Sequence, residues 1–183
     1  RIACIWTRNG TQHVSVIDPR TGELLDLDLP YDAIDFPFIA AEGQTIAFVG
    51  GSADTPSQFV VLDFLARSVD VLKESDEITV EPTFLSAPRA IEFPTDGGLT
   101  AHAFFYPPAS KDFVGSIDER PPLIVMSHGG PTSAVSAEFD MATRFWTSRG
   151  FAVVDVKYGG STGYGRAYRE RLNGNWGVVD TLD

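Results

Sequence analysis

A single cysteine in 183 residues, Cys4, leaves no partner for an intramolecular disulfide. It lies in the alternating run Ile2-Ala3-Cys4-Ile5-Trp6, the setting of a small buried hydrophobe rather than a reactive thiol. Only three histidines are present, His13, His102 and His128, and no Cys/His cluster has metal-ligand spacing. No metal is therefore expected, and no pattern calls for a cofactor. No apolar run approaches the ~18 residues of a membrane span, and no basic-then-apolar leader opens the chain. A cytoplasmic location is the default expectation, although Arg1 begins what reads as the middle of an element, so the natural N-terminus is expected upstream. Basic residues are scarce: 14 Lys and Arg face 25 Asp and Glu, for a net charge of −11. Such a surface repels nucleic acid and anionic membrane, and neither is expected as a partner.

What is plentiful is apolar residues, 43% of the chain, enough for a packed core. The acidity is uneven. Residues 1–88 hold fourteen acids and five bases, whereas residues 89–183 hold eleven and nine, which predicts a boundary near 88. The first part repeats itself. Ile2-Ala3-Cys4-Ile5 matches Ile46-Ala47-Phe48-Val49, Val16-Ile17-Asp18 matches Val61-Leu62-Asp63, and Pro37 matches Pro82, at offsets of 44 or 45. Short strands separated by Asn9-Gly10, Asp18-Pro19-Arg20-Thr21-Gly22 and Gly50-Gly51-Ser52 at that period read as β-propeller blades. About two blades' worth is present, where a closed propeller has about 4–8, so residues 1–88 read as a propeller's last blades. A small antiparallel sandwich is the alternative.

The second part opens with a hairpin, residues 89–94 and 100–106 around Asp96-Gly97-Gly98. A proline-bounded polar surface loop follows, residues 111–122. The run Leu123-Ile124-Val125-Met126-Ser127 then reads as a buried strand emptying into His128-Gly129-Gly130-Pro131. Ser136-Ala137-Glu138 opens a helical pattern with a capping serine, Met141, Ala142, Phe145 and Trp146 share its apolar face, and Gly150 stops it. Phe151 to Tyr158 reads as another buried strand. Strand, Gly-rich loop, helix and strand make a βαβ unit with parallel strands. In an α/β-hydrolase the loop after such a strand contributes an N–H to the oxyanion hole. Pro131 has none to offer, so Gly129 and Gly130 are the candidate donors. An ordinary strand-to-helix loop is the competing reading.

Three spaced motifs, His128-Gly129-Gly130-Pro131, Gly160-Ser161-Thr162-Gly163-Tyr164-Gly165, and Trp176-Gly177 with Asp180, resemble the catalytic domain of the prolyl oligopeptidase family of serine peptidases. The likeness is nearest to its acylaminoacyl-peptidase and dipeptidyl-aminopeptidase branch. It implies a propeller before an α/β-hydrolase domain, so residues 1–88 would be the propeller's end and 89–183 the N-terminal half of the hydrolase. It also implies a serine peptidase of short peptides, with the remainder of its propeller and catalytic domain as necessary partners; a homo-oligomer is left open. Ser161 satisfies G-x-S-x-G after a strand, but in this fold the triad runs Ser, acid, His, and no histidine follows Ser161. The resemblance likewise places the nucleophile on the next strand. Ser161 is expected to be a loop serine bonding locally, and residues 1–183 alone are expected to be inactive. Other branches of the family place a tyrosine hydroxyl in the oxyanion loop; His128 stands there instead, which directs attention to the Gly130 N–H. An esterase or amide hydrolase of the same fold and a non-enzymatic propeller module remain the alternatives.

Among single residues, His128 is expected to orient its loop through a backbone hydrogen bond. His102 is expected to be structural and His13 solvated. Arg166, Arg169 and Arg171 suggest a solvated helix face or an anion site. Asp155, an acid in an apolar strand, needs a partner such as Lys157 if buried. Trp176 is expected to wedge into a core.

Overall fold

A computed structural model describes residues 1–75, 80–130 and 132–183. The chain divides into two compact units, 1–78 with 136–139, and 79–135 with 140–183.

The first unit is all β. Strands β1 (Ile2–Arg8), β2 (Thr11–Ile17) and β3 (Leu24–Leu27) form one antiparallel sheet in that order, and β4 (Ala33–Glu42), β5 (Thr45–Gly51), β6 (Gln58–Asp63) and β7 (Ser68–Glu74) form a second. Asn9 and Gly10 join β1 to β2 with φ of 52° and 79°, the paired left-handed conformations of a type I′ turn. Alternation sets the core. Ile46 and Phe48 on β5 and Val60 and Leu62 on β6 point inward and cluster with Val14, Val16, Tyr31, Ile34 and Phe64. Burying one such side chain contributes about 1.5–3 kcal/mol.

The sequence repeat has a structural counterpart. Ile2–Ile5 lie on β1 and Ile46–Val49 on β5, while Val16-Ile17 close β2 and Val61-Leu62 lie at the end of β6, so β1–β2 corresponds to β5–β6. Pro37 and Pro82 are not equivalent, because Pro37 lies within β4 and Pro82 opens a 3-10 turn. His13 is not simply solvated: its ring stacks on Trp6 at 4.5 Å. Trp6 in turn donates to the buried Ser15 hydroxyl (2.7 Å), which donates to Asp26 (2.8 Å).

The second unit is a mixed sheet. Strands β8 (Arg89–Pro94), β9 (Thr100–Tyr106), β10 (Leu123–Ser127) and β11 (Ala152–Lys157) lie in the order β10-β11-β9-β8. β8 and β9 are the expected hairpin, turned by Gly97 and Gly98 at φ of 71° and 73°. β9 and β11 are antiparallel, and β10 and β11 are parallel across helix α1 (Met141–Thr147). Short helices α2 (Arg166–Arg169) and α3 (Val179–Leu182) follow β11. Among the described residues none of the sheets closes into a barrel, and no helix is long and apolar enough to cross a membrane.

Helix α1 departs from expectation twice. Its cap is Asp140, not Ser136: the Asp140 carboxylate accepts from Ala142 N (3.2 Å) and Thr143 N (2.7 Å). Its buried residues are Thr143, Arg144 and Thr147, whereas Met141, Phe145 and Trp146 remain 37–48% exposed. Arg144 fits inside because its guanidinium lies over the Tyr106 ring at 6.0 Å. The loop 111–122 lies at the surface, as expected, and there even its apolar residues Phe113, Val114 and Ile117 are among the most exposed of the described residues.

Candidate functional site

The sheet positions the site. β10 and β11 run parallel, so their C-terminal ends lie side by side, and the loops leaving Ser127 and Lys157 emerge together. In open α/β sheets this end of the strands is where ligands bind.

The first loop carries the two candidate donors. Gly130 has φ of 79°, in the region that L side chains rarely adopt, although a Cβ there would meet nothing within 4 Å. Backbone conformation, rather than space, therefore makes residue 130 a glycine. Among the described residues, neither Gly129 N–H nor Gly130 N–H donates to another group. Two such N–H groups at a strand end can hold an oxyanion. Pro131, whose lack of an N–H narrowed the choice, lies outside the described residues.

The second loop reaches back to the first. Tyr158, buried just past the end of β11, donates its hydroxyl to Gly130 O (2.6 Å), and the hydroxyl oxygen lies 3.3 Å from His128 Nδ1. The Tyr158 and His128 rings stack at 4.5 Å. On its other side His128 Nε2 lies 2.6 Å from Ser161 Oγ. The Ser161 N–H makes the expected local bond, to Tyr158 O (2.9 Å), but its hydroxyl bonds a residue 33 positions away. His128 does touch its own loop, with Nδ1 3.4 Å from Gly129 O, yet its main contacts are side chains. Burial holds the His128 imidazole below its ordinary pKa, so it is neutral at pH 7.

A serine within 2.6 Å of a histidine has the outward form of a nucleophile and its base. Two observations oppose that role. Ser161 is completely buried, and His128 Nδ1 faces Tyr158 and Gly129 rather than the orienting carboxylate of a triad. The pair ties the two strand-end loops together.

A second polar group lies under the sheet. Asp155 and Lys157, two apart on β11, share a face. Lys157 is fully buried, with Nζ 3.4 Å from the Phe104 ring centroid and 5.6 Å from that of Tyr164, and it makes no hydrogen bond. Burial lowers its pKa to about 8, against the favourable charge of Asp155. Burial likewise raises Asp155 to about 6, with Lys157 opposing. His102, the Lys157 neighbour on β9, stacks on Tyr164 at 3.8 Å, the structural role expected of it.

The remaining candidates disperse. Trp176 is 64% exposed and does not wedge into a core. Arg171 donates to Thr100 O (2.7 Å) and packs over Tyr168, while Arg166 and Arg169 are solvated, so the three arginines do not converge. Asp180 caps locally, accepting from Gly177 N (2.7 Å). Among the described residues no group of three or more His, Cys, Asp or Glu can hold a metal. Tyr158 went unremarked at the sequence level; an aromatic with a polar tip between a buried strand and Gly159-Gly160 was the available signal.

Comparison with known proteins gives this geometry a setting. Residues 137–183 match the sequence profile of the prolyl oligopeptidase family. A puromycin-hydrolyzing peptidase of Mycobacterium tuberculosis superposes with a TM-score of 0.91 at 39% identity, covering 98% of this chain and 28% of that one. A puromycin hydrolase mutant, solved in complex with PGG, superposes with a TM-score of 0.85 at 42% identity, over 94% of this chain and 26% of that one. The acylamino-acid-releasing enzyme of Homo sapiens is 40% identical over 62 residues, 34% of this chain and 8% of that protein. The chain therefore spans about a quarter of the solved relatives it matches. Over residues 137–183 the chain thus carries the profile of the prolyl oligopeptidase family, and along nearly its whole length it is similar to the solved puromycin-hydrolysing peptidases.

Proposed function

We propose that the chain forms part of a serine peptidase acting on short peptides, in which the Gly130 N–H helps hold the tetrahedral oxyanion. One observation carries this reading: at the end of a parallel strand Gly129 and Gly130 present N–H groups without acceptors among the described residues, with Gly130 held at φ of 79°. A nucleophilic serine, a histidine base and an orienting acid, supplied by the rest of the protein, would attack the peptide carbonyl at this place. The PGG complex of a relative at 42% identity supports a peptide substrate. Whether the peptide is released from an aminoacyl, dipeptidyl or acylaminoacyl end depends on pocket residues beyond this stretch.

The two antiparallel sheets of the first unit, repeated at β1–β2 and β5–β6, support reading them as successive propeller blades. In the complete enzyme such a propeller would admit short peptides and exclude folded ones. The experiment is a panel of aminoacyl anilides, acylated aminoacyl anilides, short peptides and short-chain esters offered to the full-length protein. Cleavage of the amide substrates with kcat/KM well above the esters is expected; ester cleavage alone would assign the protein to the esterases of the same fold.

A further inference from the structure

We propose that the loop 111–122, with the cavity beside it, is an interface through which two copies of this protein pair about a two-fold axis. The proposal stands apart from the peptidase reading, because it concerns the opposite end of the sheet. β9 runs antiparallel to β11, so the loop that leaves Tyr106 and returns at Leu123 lies at the N-terminal ends of β10 and β11, away from the loops after Ser127 and Lys157.

The surface is apolar and continuous. Phe113, Val114 and Ile117 project from the loop into solvent, 79%, 94% and 99% exposed. Beside them lies a cavity of about 730 Å³, whose lining includes Pro108, Phe113, Val114, Pro122, Ser148 and Arg149. Ser148 and Arg149 also line a second hollow, of about 560 Å³, with Phe84, Met141 and Phe145. The two hollows therefore adjoin, and the half-exposed stripe of α1 continues the surface that the loop begins. Arg149 does not interrupt it: its guanidinium lies 3.7 Å from the Phe145 ring centroid and donates to Phe145 O (3.0 Å). Contiguous apolar surface of this kind marks a site of association.

Charge says what covers it. In residues 108–122 and 148–150, which frame the larger cavity, Lys111, Arg120 and Arg149 balance Asp112, Asp118 and Glu119, so this face is neutral in a chain of net charge −11. A basic partner would be drawn to the acidic remainder of the molecule, and an anionic one would be repelled by it. A second copy carries the same −11 and can approach closely only where the charge vanishes. Shape agrees. A two-fold interface needs self-complementary features on one patch, and here an apolar projection and a hollow lie side by side, so that each copy's loop can enter the other's cavity. Adjacent Glu119 and Arg120 supply opposite charges that can pair reciprocally across the axis.

The test is sedimentation velocity of the full-length protein from about 0.1 to 10 µM, where the wild type is expected to dimerise. Ile117→Asp should weaken pairing by about 30-fold, the loss of a central anchor, with kcat on an aminoacyl anilide unchanged. Glu119→Arg and Arg120→Glu, each alone, set like charges against like and should weaken pairing, whereas an equimolar mixture of the two should pair again. Charge-reversed variants that pair as well alone as mixed, or a dimer that survives Ile117→Asp, would overturn the proposal. So would a wild type that stays monomeric; flotation with phosphatidylcholine vesicles would then assign the loop to a lipid surface, and protection of residues 113–117 from hydrogen exchange to the rest of its own chain. Amide cleavage by the wild type is measured separately, and its outcome bears on the peptidase reading alone.

Discussion

Gly130 joins two features in one residue, a left-handed backbone and an N–H that has no acceptor among the described residues. They can be separated by substitution in the full-length protein. Gly130→Pro deletes the donor and should lower kcat by about 10²–10³ with a much smaller change in KM, because an oxyanion donor acts mainly as charge develops. Gly130→Ala keeps the donor but strains φ, and should give an intermediate loss. Circular dichroism establishes that each variant is folded, and steady-state kinetics on an aminoacyl anilide reads the split. If folded Gly130→Pro retains wild-type kcat, the donor lies elsewhere. The glycines were legible in the sequence because the turn demands their backbone, and that demand is local. His128 bonding Ser161 was not, because the contact spans 33 residues and exists only once β10 and β11 pair in parallel. Chain order argued against a triad at Ser161, yet it carried no information about which residues would meet.

At the scale of the element, periodicity located the strands and helix α1 but not what the helix buries. Its apolar stripe of Met141, Phe145 and Trp146 was the natural inward face, and the structure buries Thr143, Arg144 and Thr147 instead. Arg144 reaches an aromatic ring, a possibility that a hydrophobic pattern does not register. Strand β11 holds the same kind of surprise in Asp155 and Lys157, whose shared face was legible from their spacing and whose burial, complete for Lys157 and partial for Asp155, was not. Their shifts make stability depend on pH with a definite sign. Lys157 titrates near 8 in the folded protein and 10.5 unfolded, so between those values the unfolded state binds more protons and stability rises with pH. Asp155 titrates near 6 folded and 3.8 unfolded, so the folded state binds more protons in that window and stability falls from pH 4 to 6. Comparing thermal midpoints of wild type and Lys157→Met from pH 7 to 10 isolates the first effect. The wild-type midpoint should gain on the variant as pH rises through 8, and a constant difference would show that Lys157 does not titrate there.

Across the whole molecule, charge and edges set how residues 1–183 behave when produced by themselves. β11 has a strand on each side, but β10 ends the sheet, with Leu123 and Val125 54% and 65% exposed. An edge of this kind, apolar and without a bulge or lysine, is a template for another strand. The net charge of −11 opposes self-association, yet most of it resides in residues 1–88, away in sequence from the edge that would pair. Screening by salt weakens that repulsion, since the Debye length shrinks from about 10 Å at 0.1 M to about 3 Å at 1 M. The isolated polypeptide should therefore bind a hydrophobic dye and associate, more so as salt rises. Sedimentation velocity at 0.05 and 0.5 M NaCl reads the association directly. The same preparation should hydrolyse neither peptide nor ester and should leave a fluorophosphonate probe unreacted, because Ser161 is buried and the Nδ1 of its histidine faces Tyr158 and Gly129, not a carboxylate. Introducing Val125→Lys places a charge on the open edge and should shift the distribution toward monomer. A monodisperse, dye-silent wild-type polypeptide would show that the edge is already protected, and stoichiometric labelling of Ser161 would restore it as a nucleophile.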